Sequence, residues 1–396
     1  MKDNKSKPSR RKNKIFTGKN RPPFECIALV LQGGGALGAY QGGVYEALAE
    51  AELHPDWVAG ISIGAINAAI IAGNPPKERA DKLKRFWETI TANPLLDWTT
   101  LSSQLTPRGD LARGLFNNMS AIYTLMNGTT DFFAPRVPAP FFQPDGTIEA
   151  TSFYDTTKLK TTLEHFIDFD RINQEGTRFS IGAVNISSGN FIYFDNDKDI
   201  IRPEHVLASG SLPPGFAATE IDGEFYWDGG LISNTPLQWI VDGDTRQDTL
   251  VFQVDLWSAR GTMPRNLRGA MTRQKEIQYS SRTRAATTQF KRLQQARYTL
   301  SKLLKKLPSE LQEMEEVKTL RQIADHKVYN IVQLIYRSQQ YESYSKDYEF
   351  SRLTMNEHWK AGYCDVLHTL KHPQIFQRPS DQDGVFTFDY TNQSER

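Results

Sequence analysis

The stretch Gly60-Ile61-Ser62-Ile63-Gly64 constrains this chain most, because it demands a sharp reversal between two regular elements. Trp57-Val58-Ala59 before it reads as a buried strand, and Ala65-Ile66-Asn67-Ala68-Ala69-Ile70 after it reads as a helix. A strand that turns straight into a helix leaves no room for a Cβ beside the turn, and glycines at 60 and 64 meet that need. The serine hydroxyl then projects from the strand end at a helix N-terminus, where unpaired N–H groups and the positive end of the dipole favour developing negative charge. Ser62 is therefore the candidate nucleophile. The pentapeptide alone is weak, since small residues crowd strand-to-helix turns for purely steric reasons.

A second glycine-rich turn lies upstream. Cys26-Ile27-Ala28-Leu29-Val30-Leu31 reads as a buried strand running into Gly33-Gly34-Gly35-Ala36-Leu37-Gly38, with a helix from Ala39 to Ala51. Backbone N–H groups along Gly33, Gly34, Gly35 and Gly38 can hold either a phosphate or the oxyanion of a tetrahedral acyl intermediate, and the loop by itself does not say which. Gly33, Gly35 and Gly38 also satisfy a dinucleotide fingerprint, but the second strand ends in Ser62 where that motif needs an acid, and Asp56 precedes the strand. Glycines that merely let a helix approach a strand explain the same loop.

The third piece is Phe225-Tyr226-Trp227-Asp228-Gly229-Gly230, an aromatic strand that presents a carboxylate beside two glycines. A serine hydroxyl needs a group to take its proton, and Asp228 within hydrogen-bond reach would serve without a histidine. An Asp-Gly β-turn is the plain alternative.

Together the three pieces, in this order and spacing, resemble the patatin-like phospholipase family from Cys26 to about Trp257. Ala208-Ser209-Gly210-Ser211-Leu212-Pro213-Pro214-Gly215-Phe216, Asn234 and Pro236 also match that pattern. The resemblance implies a three-layer α/β patatin-like fold with a mostly parallel central sheet and a mainly helical C-terminal extension. It further implies a Ser62–Asp228 dyad, an oxyanion hole from the amides of the Gly33–Gly38 loop, Gly60, Gly64, Gly229 and Gly230 in supporting roles, and hydrolysis of carboxylic esters of lipids without metal or cofactor. One departure is Leu37, where many members carry Arg or Lys, which puts a preference for an anionic head group in doubt.

Two rivals stay open. An α/β-hydrolase shares the GxSxG turn but needs a late histidine, and His326, His358, His368 and His372 are available, although none sits in a Gly-rich turn. A scaffold of the same fold that binds lipid or protein without turnover is the other.

A chain of 396 residues with net charge +1 can bury a large core and does not read as a general nucleic-acid binder. Only residues 1–22 are strongly basic; this expected disordered tail could touch an anionic membrane or RNA, or simply be solvated. No apolar run reaches membrane-spanning length, so a cytoplasmic protein with peripheral membrane contact at most is expected. Cys26 and Cys364 suggest neither a disulfide framework nor a metal site. The expected organisation is a catalytic unit over 23–260, interrupted at 101–173 by an insertion rich in Phe and Pro, and an extension over 261–396. Phe132, Phe133, Phe141 and Phe142 in the insertion are candidates for a lid or acyl-pocket wall. In the extension, helices over 309–324 and 351–370 and a strand over 328–336 are expected, with loop after Pro373; Thr249 to Trp257 is expected to close the sheet.

Overall fold

The computed structural model describes residues 21–92, 107, 109–174, 176–243, 246–280 and 283–391. Its first half runs β1 (Cys26–Leu31), α1 (Ala39–Glu50), β2 (Trp57–Gly60), α2 (Ile63–Ala72), α3 (Arg79–Ile90), α4 (Asp110–Asn127), β3 (Ala134–Pro135), β4 (Tyr154–Asp155), α5 (Thr157–Phe166) and α6 (Phe169–Gln174). Then follow β5 (Arg178–Asn185), β6 (Phe191–Asp195), α7 (Pro203–Gly210), β7 (Thr219–Ile221), β8 (Glu224–Asp228), α8 (Leu237–Asp242) and β9 (Thr249–Asp255). The remainder holds α9 (Leu267–Tyr279), α10 (Thr283–Leu304), α11 (Glu315–Ile323), β10 (Tyr329–Ile335), α12 (Arg352–Thr369) and β11 (Val385–Asp389).

Nine of these strands form one sheet in the order β11-β10-β9-β1-β2-β5-β8-β7, with β6 also on β5. The pairings from β11 to β5 are parallel, and β6, β8 and β7 are antiparallel. Parallel strands need both faces covered, and their sequences are accordingly apolar throughout. Along β1, Ile27, Leu29 and Leu31 face one layer with residues of α1, α2, α3 and α12, whereas Cys26, Ala28 and Val30 face the other with Leu237, Ile240 and Val241 of α8 and Phe290 of α10. The fold is thus α/β in three layers, as expected.

The C-terminal stretch is knitted into this core by a close helix crossing. A Cβ on Gly43 would stand 1.8 Å from the Trp359 carbonyl oxygen, and one on Gly362 would stand 2.1 Å from that of Tyr40, so α1 and α12 touch backbone to backbone. The Tyr40 hydroxyl donates to Asp365 at 2.8 Å and the Trp359 indole to Glu46 at 2.6 Å.

Three sequence expectations are corrected. Thr249–Asp255 does not close the sheet but lies inside it, between β1 and β10. The stretch after Pro373 is not all loop: a short turn of helix at Pro373–Phe376 leads to β11, which pairs in parallel with β10. The helix expected over 309–324 breaks into a turn at Ser309–Leu311 and α11. Isolated apolar pairs such as Val385 and Phe386 form a strand only because β10 offers an open edge, a long-range fact that local pattern does not carry. The basic tail expected over 1–22 lies outside the described residues except for its last two positions, as do 101–106 and 108 of the insertion.

Candidate active site

Ser62 sits at the turn between β2 and α2 with φ 57° and ψ −127°, in the left-handed half of backbone space that a non-glycine residue adopts only under constraint. The constraint is visible on both sides. A Cβ on Gly60 would lie 2.2 Å from the Gly64 carbonyl oxygen, and one on Gly64 would lie 2.3 Å from that of Leu31. Ser209, fully buried on α7, locks the turn to the sheet: its hydroxyl accepts the Ser62 N–H at 3.0 Å and donates to the Gly182 carbonyl on β5 at 2.7 Å.

Asp228 ends β8, which places it beside Ala183 on β5 and within reach of the turn. Ser62 and Asp228 line the same cavity, and the Gly230 N–H donates to Asp228 Oδ1 at 2.7 Å. With 1% of its surface exposed, Asp228 has little water to stabilise its charge. Burial pushes its carboxyl from 3.8 up to about 7, against the neighbouring Ser62 hydroxyl and the Gly230 N–H, which pull it down. Gly229 is required for contact, since a Cβ there would stand 2.7 Å from the Gly182 carbonyl oxygen.

The glycine-rich loop is held against this pair by its flanks. The Gln32 side chain accepts from the N–H groups of Leu256 and Trp257 and donates to Thr235 and to the Tyr279 carbonyl. Asn234 grips Gly33 twice, its backbone oxygen accepting the Gly33 N–H at 3.3 Å and its side-chain amide donating to the Gly33 carbonyl at 3.0 Å. The N–H groups of Gly34 and Gly35 have no acceptor among the described residues and border the same cavity as Ser62. Gly38, expected among the loop donors, does not line that cavity; it is small because Ile63 and Trp87 would meet a Cβ there at 2.6 and 2.9 Å. The Gly33 amide is likewise already engaged.

Ser62, Asp228, Gly33, Gly34, Gly35 and Gly230 thus converge on one cavity of about 320 Å³, while Gly60, Gly64 and Gly229 lie beneath it as steric supports. Its wall is apolar, with Leu125, Phe132, Phe133, Leu207, Phe216 and Phe350. Of the insertion phenylalanines, Phe132 and Phe133 are buried in that wall, whereas Phe141 and Phe142 point to solvent, 82% and 81% exposed. Among the described residues no histidine, lysine or arginine lines the cavity, and the charged lining residues are Asp228 and Asp347. His358 is instead buried against Glu342, Nε2 to Oε1 2.9 Å, away from the cavity. Asp56 binds the Ile27 N–H at 2.7 Å and pairs with Arg21 at the start of β2, a structural use that leaves no acid where a ribose would need one.

Sequence reasoning missed the contribution of the segment before α12. The Asp347 carbonyl accepts the Ala36 N–H at 2.8 Å and lies 2.1 Å from where a Gly35 Cβ would be, which is why Gly35 with φ 54° must be glycine. Lys275 of α9 ties down the Asp347 carboxylate at 2.6 Å. Nothing local in Lys346-Asp347-Tyr348 signals this; Asn67, the single polar residue in an apolar helix, was a readable sign of a buried network, since it donates to Gly38 and Gln41 and accepts from Trp87.

A family model described as patatin-like phospholipase matches residues 29–238, more than half of the chain, and one described as patatin phospholipase matches residues 277–382. A patatin-like phospholipase domain-containing protein of Caenorhabditis elegans is 34% identical over 84 residues, spanning 21% of this chain and only 7% of that protein. The crystal structure of VipD from Legionella pneumophila aligns over 89% of this chain and 66% of its own, at 15% identity and a TM-score of 0.37. The chain belongs to the patatin-like phospholipase family.

Proposed function

We propose that the protein is a serine acyl hydrolase that cleaves carboxylic esters of lipids through an acyl-enzyme, with Ser62 as nucleophile and Asp228 as general base. The observation that carries this reading is the strained Ser62 on the wall of an apolar cavity that it shares with Asp228, a buried carboxyl raised to about 7. A base of that strength at neutral pH is half ionised and can both take and return a proton.

In the first step Ser62 Oγ bonds to the ester carbonyl carbon while its proton passes to Asp228. The carbonyl oxygen, now negative, faces the free N–H groups of Gly34 and Gly35, aided by the N-terminal end of α2. Asp228 then protonates the departing alcohol oxygen as the C–O bond breaks. Water enters, gives its proton to Asp228, bonds to the acyl carbon and releases the fatty acid, with the proton returning to Ser62. The phenyl rings of Phe132, Phe133 and Phe216 would hold an acyl chain. With Leu37 buried and no cation in the lining among the described residues, the pocket favours esters whose reacting end is uncharged.

The test is hydrolysis of p-nitrophenyl esters and of extracted lipids by the wild type and by Ser62→Ala and Asp228→Asn. Each variant should lose about 10³-fold or more in kcat/KM. Undiminished turnover in Ser62→Ala would refute the assignment; a comparison of lipids consumed by wild type but not by Ser62→Ala identifies the substrate.

A further inference from the structure

Helix α4 is inside out. Arg113, Asn117, Ser120 and Thr124 on one side are buried, with Arg113 paired to Glu357 and Ser120 bonded to Glu349. On the opposite side Leu111, Leu115, Met119, Ile122 and Met126, spaced at three and four, are exposed, from 56% at Ile122 to 91% at Leu111. An amphipathic helix that turns its apolar stripe outward has a surface to cover.

Two neighbours say what covers it. Leu125, on the edge of the stripe, also lines the catalytic cavity, so the exposed stripe is continuous with the acyl-chain wall. At the other end Leu111 and Leu115 border a second, wider cavity together with Arg260 and Arg268. Arg260, Arg265 and Arg268 are exposed and interleaved with exposed Met263 and Leu267, so cationic and apolar side chains face outward together. The acidic residue exposed on α4 is Asp110, at its first position.

We infer that this face seats the protein on a bilayer surface carrying anionic lipids, with the α4 stripe inserted among the acyl chains and Arg260, Arg265 and Arg268 at the head groups. The inference rests on the lipid-hydrolase reading of the cavity: a protein seated on the stripe would cover the rim at Leu125, whereas a membrane both covers the stripe and supplies the substrate there. Apolar insertion combined with basic side chains is the ordinary chemistry of interfacial binding.

The test is co-sedimentation of the full chain with vesicles of phosphatidylcholine and phosphatidylserine. Wild type and Ser62→Ala should bind alike. The combined variant Leu115→Gln, Met119→Gln, Ile122→Gln should lower the partition about a hundredfold while short-ester hydrolysis is unchanged. Arg260→Gln, Arg265→Gln and Arg268→Gln together, or vesicles of phosphatidylcholine alone, should lower it about tenfold. As a check that does not risk the fold, Met119→Trp should show a blue-shifted emission when vesicles are added. No binding by wild type, no effect of the α4 variant, or no shift in Met119→Trp overturns the inference, as does a dimer in light scattering that the α4 variant converts to monomer. Soluble esters hydrolysed without vesicle binding would strike this inference alone, and vesicle binding without ester hydrolysis would strike the catalytic reading alone.

Discussion

Replacing Asp228 by Asn should abolish ester hydrolysis and yet stabilise the folded protein at pH 8. The carboxyl is raised from 3.8 to about 7 because burial penalises its charge more than the neighbouring Ser62 hydroxyl and Gly230 N–H offset. For an acid raised on folding, the favourable contribution is complete below 3.8 and is lost as pH climbs through about 7; above that the buried charge costs the fold about 4 kcal/mol relative to the neutral form. Asparagine keeps the shape and an oxygen for the Gly230 N–H but never ionises. Allowing for a poorer fit of its NH₂ group beside Ser62, the gain at pH 8 should be about 2–4 kcal/mol and should shrink toward zero as pH falls toward 4. Urea unfolding of both proteins at pH 8, 6.5 and 5 measures it. A loss of stability at pH 8, or a gain that does not vary with pH, would show that Asp228 is not a buried carboxylate held against its solvation.

Gly64→Ala should cost about 3 kcal/mol in urea unfolding and depress kcat, because the added methyl meets the Leu31 carbonyl and must tilt the turn that carries Ser62. Alanine at His326, His368 or His372 should leave kcat/KM unchanged; His358→Ala should leave it unchanged too but cost about 2 kcal/mol of stability, since buried Glu342 would lose the His358 contact and keep the Tyr336 hydroxyl. Phe141→Ala and Phe142→Ala should not alter acyl-chain preference, whereas Phe133→Ala, which enlarges the cavity, should shift it toward longer chains when a series of p-nitrophenyl esters is compared.

What could be read in the sequence was what is local. The turn at Ser62, the glycine run after β1 and Asp228-Gly229-Gly230 each combine a strand, a break and a residue with one chemical use, and each is short enough to be seen in a window of about ten residues. The assembly of those pieces could not be read from them. That Asp228 reaches Ser62 follows from β8 pairing antiparallel to β5, two strands separated by more than thirty residues of chain. That Asp347 braces the glycine loop follows from α12 lying across α1. The outward apolar stripe of α4 has the same period as a core-facing one, and only its packing tells which side meets the protein. The insertion phenylalanines split for the same reason: Phe132 and Phe133 pack against Phe216 and Phe350, whereas Phe141 and Phe142 are exposed.

The most direct test of an imidazole-free serine–aspartate pair is the rate at which a fluorophosphonate labels the protein between pH 5 and 9, with the adduct located by peptide mapping. The adduct should fall on Ser62, its rate should rise through a single ionisation near 7, where burial has placed Asp228, and Asp228→Asn should abolish it while alanine at each of the four late histidines should not. Labelling at another residue, or labelling of Ser62 that survives Asp228→Asn and disappears with a histidine, would contradict the account.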